Sequence, residues 1–548
     1  MAVELDVARK LSLTFDEPSH IGAGLSYVAH GDLVLNPEHP PLVKLLAGAA
    51  IAALGAKESS AAAFLAAARE HPEAASELSF LYGEQLLFHD NPDFHFPGAR
   101  PGADAIVTAA RLPLVVFPVL LALAAYAWGR ARFGPGGGLL ALGLVVTYPD
   151  ILGHGALVTT DVPFAACALA AGFALDRLVH EGRARWLGLL GLATGGALAV
   201  KFSGVFLAAG LAGAGAVAAV LPAERDATGP ADPFGRARPA ARALACVVPV
   251  VLAALVVAVS YLGEAPLLAY RRGLASVYAG ASPSYLGLCL GRYAPRFWYY
   301  FVVAPALKAP LGTLALLVAT LAAGLAARRA RASTRAEVCL HVPALVLFVA
   351  TSALAAPVGS RYTIPAIAFL LVSAGRLAVW AGPSRLRRAA IGLALAANLA
   401  HVAREHPFHA SSINALGGSP LSFYRLLDDS NQDWGQGLEA LARWQRERGV
   451  PRVTLVTSLP VDGPPLLAAY GVEGEALSRT EPLFFPQPGT VYAVSAHMMS
   501  RGVLDESLTA RDAYRTGREP PRLVLGRAAQ PGEVVGGGLL VFDLRAHP

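Results

Sequence analysis

"AIVTAARLPLVVFPVLLALAAYAWG", residues 105–129, is an apolar run long enough to cross a bilayer, for which about 20 residues in a helix suffice. Similar runs recur. Ten spanning candidates are expected at 105–129, 137–153, 162–179, 186–200, 203–221, 243–262, 298–326, 338–356, 361–380 and 387–403. The 548-residue chain is 55% hydrophobic and only 15% charged. Soluble proteins run nearer about one quarter charged, so the composition is that of a multi-pass membrane protein.

The formal net charge of +6 does not point to nucleic acid, because the arginines fall in short blocks between apolar runs. These blocks are Arg130/Arg132, Arg177/Arg183/Arg185, Arg225/Arg236/Arg238/Arg242, Arg328/Arg329/Arg331/Arg335 and Arg385/Arg387/Arg388. Positive loops stay in the cytoplasm, so the intervening loops, residues 1–104 and everything after 403 are expected outside. An even number of spans leaves the N-terminus outside with nothing to carry it there. A further preceding helix, lost to a late start, is therefore expected. Residues 1–15 show no signal-peptide pattern. The four cysteines, Cys167, Cys246, Cys289 and Cys339, form no disulfide framework and no metal-binding pair.

Three regions follow. Residues 1–104 form a first outer loop whose stretches 20–30, 40–55, 60–70 and 76–88 have helical spacing with polar interruptions, suggesting helices lying on the outer leaflet. Residues 105–403 are the transmembrane helical domain. Residues 404–548 have soluble composition. There, strands are expected at 452–459, 490–496 and 538–544, with helices near 436–447 and 463–470, as in a small α/β domain.

Charged groups beside lipid are costly and need a reason. On the outward side stand Asp16, Glu17, Glu38, His39, His154, Asp161, Lys201, Arg271, Arg272, Lys308 and Arg361. Carboxylates and cations from distant parts of the chain thus gather on one face, which suits a polar anionic substrate attached to something apolar. A lipid-phosphate-linked sugar fits. Its transfer needs a carboxylate to take the acceptor proton and cations around the departing phosphate. Each residue also has a structural reading. Asp16-Glu17 before Pro18-Ser19 is a helix start, and Glu38-His39-Pro40-Pro41 a rigid turn. Lys201 closes an apolar run as a snorkelling anchor would, and Arg361-Tyr362 reads equally as an interfacial belt. "DDSNQDWGQ", residues 428–436, is not an EF-hand, since its glycine is a residue late and Ala440 stands at position twelve; it reads as an acidic cap.

The set "TFDEPSHIGAGLSYVAHGDLVLNPEHPPLVKLL", "HGALVTTDVP", "KFSG", "ALKAPLG", "GSRYTIP" and "DDSNQDWGQGLEAL" resembles glycosyltransferase family 39, over roughly residues 13–440. That family includes protein O-mannosyltransferases and lipid A aminoarabinose transferases, and the resemblance is greatest to its bacterial, phospholipid-carrier-dependent branch. The resemblance implies a polytopic C-type glycosyltransferase fold lacking the family's first span. It also implies an inverting, mannosyltransferase-like enzyme of the cytoplasmic (inner) membrane with its site on the extracytoplasmic face. The donor would be a polyprenyl-phosphate sugar and the acceptor a protein, lipid or glycan, with membrane lipids as the other partners and no nucleic acid. The family's essential aspartate maps onto Asp16, with Glu17 beside it. Its second acidic residue maps onto Asp161 and its phosphate-contacting lysine onto Lys201. His39, His154, Arg271, Arg272 and Arg361 are the remaining candidates for binding the substrate. The Glu-Lys-Pro-Pro turn of the aminoarabinose branch is here Glu38-His39-Pro40-Pro41, so Glu38 is the candidate ligand for a divalent metal ion. His39 replaces the missing lysine's charge only when protonated. A lipid-linked sugar flippase and a non-catalytic scaffold are the alternatives. A flippase would carry ionisable groups deep in its spans and helices broken in matching halves, whereas the outward charges here stand at span ends on one side and no half-to-half symmetry is present.

Overall fold

The computed structural model describes residues 1–221, 239–262, 265–280, 285–328, 334–461, 463–516 and 521–545. Of the arginines expected in the cytoplasmic loops, Arg225, Arg236, Arg238, Arg329 and Arg331 lie outside them.

The first outer loop folds into α1 (Ala2–Lys10), α2 (Glu17–His30), α3 (Leu42–Ala53), α4 (Ala61–Glu70) and α5 (Ala75–Gln85), so four of its helices fall where the helical spacing put them. The expectation that all four lie on the leaflet fails for α2. Residues Glu17–Tyr27 are buried without interruption, because α2 packs between α3 and α5. Its small residues permit this. A Cβ on Gly24 would sit 2.1 Å from the Lys44 carbonyl oxygen, and one on Gly48 would sit 2.1 Å from the Gly24 carbonyl. Backbones can approach that closely only where no side chain intervenes.

The helical domain continues with α6 (Ala103–Arg111), α7 (Val116–Val145), α8 (Pro149–Gly155), α9 (Asp161–Glu181), α10 (Arg185–Val200), α11 (Gly204–Val220), α12 (Pro239–Ser260) and α13 (Pro266–Gly280). The hairpin β1 (Gly287–Cys289) and β2 (Arg292–Ala294) precedes α14 (Tyr300–Lys308), α15 (Leu311–Arg328), α16 (Thr334–Leu354), α17 (Ile364–Ser373), α18 (Arg376–Ala381) and α19 (Arg385–Glu405). Among the described residues, four segments are long and apolar enough to cross a membrane: Ala103–Val145, Asp161–Glu181, Thr334–Leu354 and Ser360–Ala381. Shorter apolar helices occupy Leu42–Ala53, Arg185–Val200, Gly204–Val220, Val247–Ser260 and Leu311–Gly324.

Within α7, Gly134 takes φ +73° and Pro135 follows, so the helical path breaks there and the flanking turns pack on each other through Gly129, Gly137 and Gly138. The expected span 137–153 is interrupted at residues 146–148, where Tyr148 is extended and Pro149 starts a new short helix. Helix α9 is the central post, packing against α7, α10, α11, α16 and α17.

After α19 come α20 (Leu438–Glu447), β3 (Val453–Val456), α21 (Gly463–Tyr470), β4 (Gly474–Leu477), α22 (Glu481–Phe484), β5 (Val491–Ser495), α23 (Ala496–Thr516), β6 (Glu533–Val535) and β7 (Leu539–Asp543). The strands form one sheet in the order β4-β3-β5-β7-β6, parallel from β4 to β5 and antiparallel beyond. The protein is thus a predominantly helical, multi-pass membrane chain with a small C-terminal α/β part. The two parts are knit together: Ser12 Oγ donates to the Gly435 carbonyl at 2.7 Å, and the Leu13 amide donates to the Tyr470 hydroxyl at 2.9 Å.

Candidate active site

Asp16 is the N-cap of α2, and Asp161 opens α9. Lys201 follows α10 in an extended conformation, which turns its side chain back across the head of α9. Arg361 lies in the short turn that leads into α17. Helix ends therefore deliver all four groups to one place. Lys201 Nζ is 2.5 Å from Asp161 Oδ1 and 4.4 Å from the Tyr362 ring centroid. Arg361 Nη1 is 3.2 Å from Asp16 Oδ2 and 3.6 Å from Asp161 Oδ2. The Asp16 side chain is 23% exposed, against 2% for Asp161. Asp16 is therefore the more accessible carboxylate, while Asp161 is held behind two cations.

Glu17 does not share that position. Its side chain is fully buried, and Arg111 reaches both its oxygens, Nε at 2.7 Å and Nη2 at 2.6 Å. The Thr14 and Val158 amides donate to the same carboxylate at 2.9 and 3.1 Å. Burial acts to raise this carboxyl, but Arg111 and the amides hold it below the usual range. The catalytic role expected of Glu17 is therefore corrected: with every oxygen occupied inside the protein, it braces the helix that carries Asp16. Sequence reading missed Arg111, whose signal was a lone arginine inside an apolar run.

The Glu38-His39-Pro40-Pro41 turn is held by a second missed cation. Lys44, on α3, donates to the carbonyls of Asn36 at 2.6 Å and His39 at 2.7 Å. The His39 ring meets His20 edge-on at 5.4 Å. Burial, then the neighbouring His20, Lys201 and Lys44, push the His39 imidazole well below its ordinary value. That direction favours the neutral ring over the protonated one. Glu38 is half-buried beside it. Among the described residues, no group of three or more His, Cys, Asp or Glu side chains is placed to hold a metal ion.

His154 is buried, with neither ring nitrogen hydrogen-bonded. Burial pushes it down to about 4, so it stands as a neutral ring, edge-on to Trp434 at 5.5 Å. It backs the site and is not exposed to a substrate. Lys308 pairs with the unpredicted Asp150 at 3.0 Å, both about 1% exposed, and donates to the Ala410 carbonyl at 2.7 Å. That pair ties α14 to α8. Arg272 lines a cavity of about 900 Å³ together with His39, Tyr27, Asn36 and Pro41. Arg271 is exposed and forms no ion pair with the four-residue cluster. Its expected place in the site is not found.

Residues 104–253 match the model of the dolichyl-phosphate-mannose-protein mannosyltransferases. Protein mannosyltransferases are among the members of the family that the motifs resemble, and the match is to this stretch alone. The mannosyltransferase match contains Asp161, Lys201 and the Arg111 brace, while Asp16 and Arg361 lie outside it. Two solved structures are similar along the whole chain, both at 14% identity and covering 100% of this chain and 96% of the other. They are ArnT from Cupriavidus metallidurans in the apo state, with a TM-score of 0.45, and ArnT from the same organism bound to undecaprenyl phosphate, with a TM-score of 0.47. Comparison with curated protein sequences gives no match.

Proposed function

We propose that the protein is an integral-membrane glycosyltransferase that moves a sugar from a polyprenyl-phosphate carrier to an acceptor outside the cytoplasmic membrane, with inversion. The observation that carries this reading is the joining of Asp16, Asp161, Lys201 and Arg361 in one cluster at the ends of α2, α9, α10 and the turn before α17. The mannosyltransferase match over residues 104–253 supports the class of chemistry, and a mannose-like hexose is the sugar it favours.

In the resting arrangement the two cations are neutralised by the two aspartates. A phosphate entering beside Lys201 and Arg361 competes for them with charge-assisted bonds of its own. As Arg361 turns to the phosphate, Asp16 loses its partner and is left open to accept a hydrogen bond from the acceptor hydroxyl. The acceptor hydroxyl then attacks the anomeric carbon from the face opposite the phosphate. Its proton passes to Asp16, and the bond from anomeric carbon to phosphate oxygen breaks with its electron pair leaving on the phosphate. Lys201 and Arg361 stabilise that growing charge. Asp161 keeps both cations in place and is a positioning residue in this scheme. The apolar helix α3 would lie along the polyprenyl tail. No step is routed through a metal ion.

The test is incubation of purified full-length protein in detergent with radiolabelled polyprenyl-phosphate hexoses and a cell-envelope acceptor extract. Release or transfer of labelled sugar is the expected result. Recovery of intact donor under all conditions, while vesicles containing the protein exchange the same lipid between leaflets, would establish a flippase instead.

A further inference from the structure

The stretch DDSNQDWGQ, residues 428–436, has no part in the reaction above, yet it forms the inner wall of the cluster. Trp434 is 6% exposed, and the Arg361 guanidinium lies 4.0 Å from its ring centroid. The Trp434 carbonyl accepts the amide proton of Phe15 at 2.9 Å, one residue before Asp16. The same loop grips the approach to Arg361: Asn431 Oδ1 accepts the Ser360 amide at 3.0 Å, and Ser430 Oγ donates to the Val358 carbonyl at 2.7 Å. Arg361 Nε is buried without a hydrogen-bond partner. The ring faces of Trp434 and Tyr362, at 4.0 and 5.2 Å, therefore do much to set the plane of this guanidinium.

The loop is itself pinned from the α/β part. Asp428 is buried and accepts from His497 Nδ1 at 2.8 Å and from Arg501, both on α23. Burial acts to raise the Asp428 carboxyl, but the two cationic partners hold it below its ordinary value. Arg501 also donates to the Leu286 carbonyl at 2.8 Å, which joins α23 to the segment entering β1.

We infer that Trp434 is a positioning residue for Arg361 and that the α/β part, through Asp428, His497 and Arg501, holds it in place. The C-terminal part then completes the phosphate side of the site rather than standing apart from it. This inference rests on the proposed role of Arg361 toward the donor phosphate.

A double-mutant cycle tests it on the full-length protein in detergent, with sugar-free polyprenyl phosphate as the probe and its dissociation constant as the readout. Trp434→Leu should weaken binding about ten-fold and Trp434→Phe, which keeps a ring face, by no more than about three-fold. In an Arg361→Gln background, Trp434→Leu should add almost nothing, because its partner is gone. A merely structural tryptophan would cost the same in both backgrounds, and that additive result overturns the inference, as does unchanged binding by Trp434→Leu. Should the leucine variant not fold, the cycle is run with Trp434→Phe under the same criterion. Arg501→Gln should weaken binding only where Arg361 is present; unchanged affinity removes the α/β part from the argument. The readout needs no turnover. A wild-type protein that binds the probe but transfers nothing defeats the transferase reading alone, and one that does not bind it defeats both.

Discussion

Arg361 and Asp16 are 345 positions apart in the chain and 3.2 Å apart at their side-chain ends. The same guanidinium nitrogen stands 3.6 Å from Asp161. One cation thus joins the first outer loop to the start of the central helix. Asp16 alone of the two carboxylates keeps an appreciable exposed surface.

Asp16→Asn should abolish sugar transfer while leaving the fold intact. A positioned general base contributes roughly 10²–10⁴-fold. The expected loss lies in that range, with the thermal unfolding temperature within a few degrees of wild type. Full transfer by this variant would remove Asp16 from the mechanism.

Glu17→Gln should behave in the opposite way. It leaves the Arg111 charge buried without its counter-ion, and breaking such a pair typically costs about 3–5 kcal/mol. Thermal unfolding in detergent should show a large destabilisation or failure to accumulate in the membrane. Normal stability together with lost activity would mean that Glu17 takes part in the reaction after all.

Lys201→Ala should weaken donor binding. A charge-assisted hydrogen bond is worth about 1.5–3 kcal/mol, which corresponds to roughly 10–100-fold in the donor KM. Lys201→Arg keeps the charge and should recover part of the loss. Steady-state kinetics against donor concentration decides the matter: a KM unchanged by the alanine substitution contradicts contact with the phosphate.

Glu4, on α1, is buried with Oε2 lacking any partner, and burial pushes its carboxyl up to about 8 from 4.5. Between those values the folded protein keeps a proton that the unfolded chain releases, so stability falls as pH rises through the window. Glu4→Gln removes that proton exchange. Its unfolding temperature should match wild type near about pH 5 and exceed it near about pH 9. Parallel pH curves for the two proteins would show that Glu4 is ionised in the fold.

Much of this was legible in the sequence because hydrophobic spacing reports local structure directly. Helices α2 to α5, most of the apolar helices and strands β3, β5 and β7 fall where periodicity put them, whereas α1 was not read and the expected spans 137–153 and 298–326 are each broken in two. Strands β4 and β6 were missed: each is short, and β4 is only partly buried, so neither carries a clear alternation. The gathering of Asp16, Asp161, Lys201 and Arg361 was expected from span ends facing one side. What remained hidden was which of two adjacent acids faces outward. Asp16 and Glu17 are neighbours in sequence, and only the location of Arg111 turns one into a brace and leaves the other to pair with Arg361 in the cluster. Trp434 was hidden for a related reason. Its acidic neighbours read as a helix cap, and nothing local reveals that a residue 73 positions away rests its guanidinium on that ring.

The crossing of α2 and α3 at Gly24 and Gly48 leaves no slack between the two backbones. Gly83 meets Pro18 in the same way, with only 2.0 Å between a would-be Cβ and the Pro18 carbonyl oxygen. The aspartate at the head of α2 is consequently a fixed anvil, clamped at two points along the helix behind it. Under the proposed mechanism the substrates have to be brought to it, since the helix that carries it has no room to shift toward them.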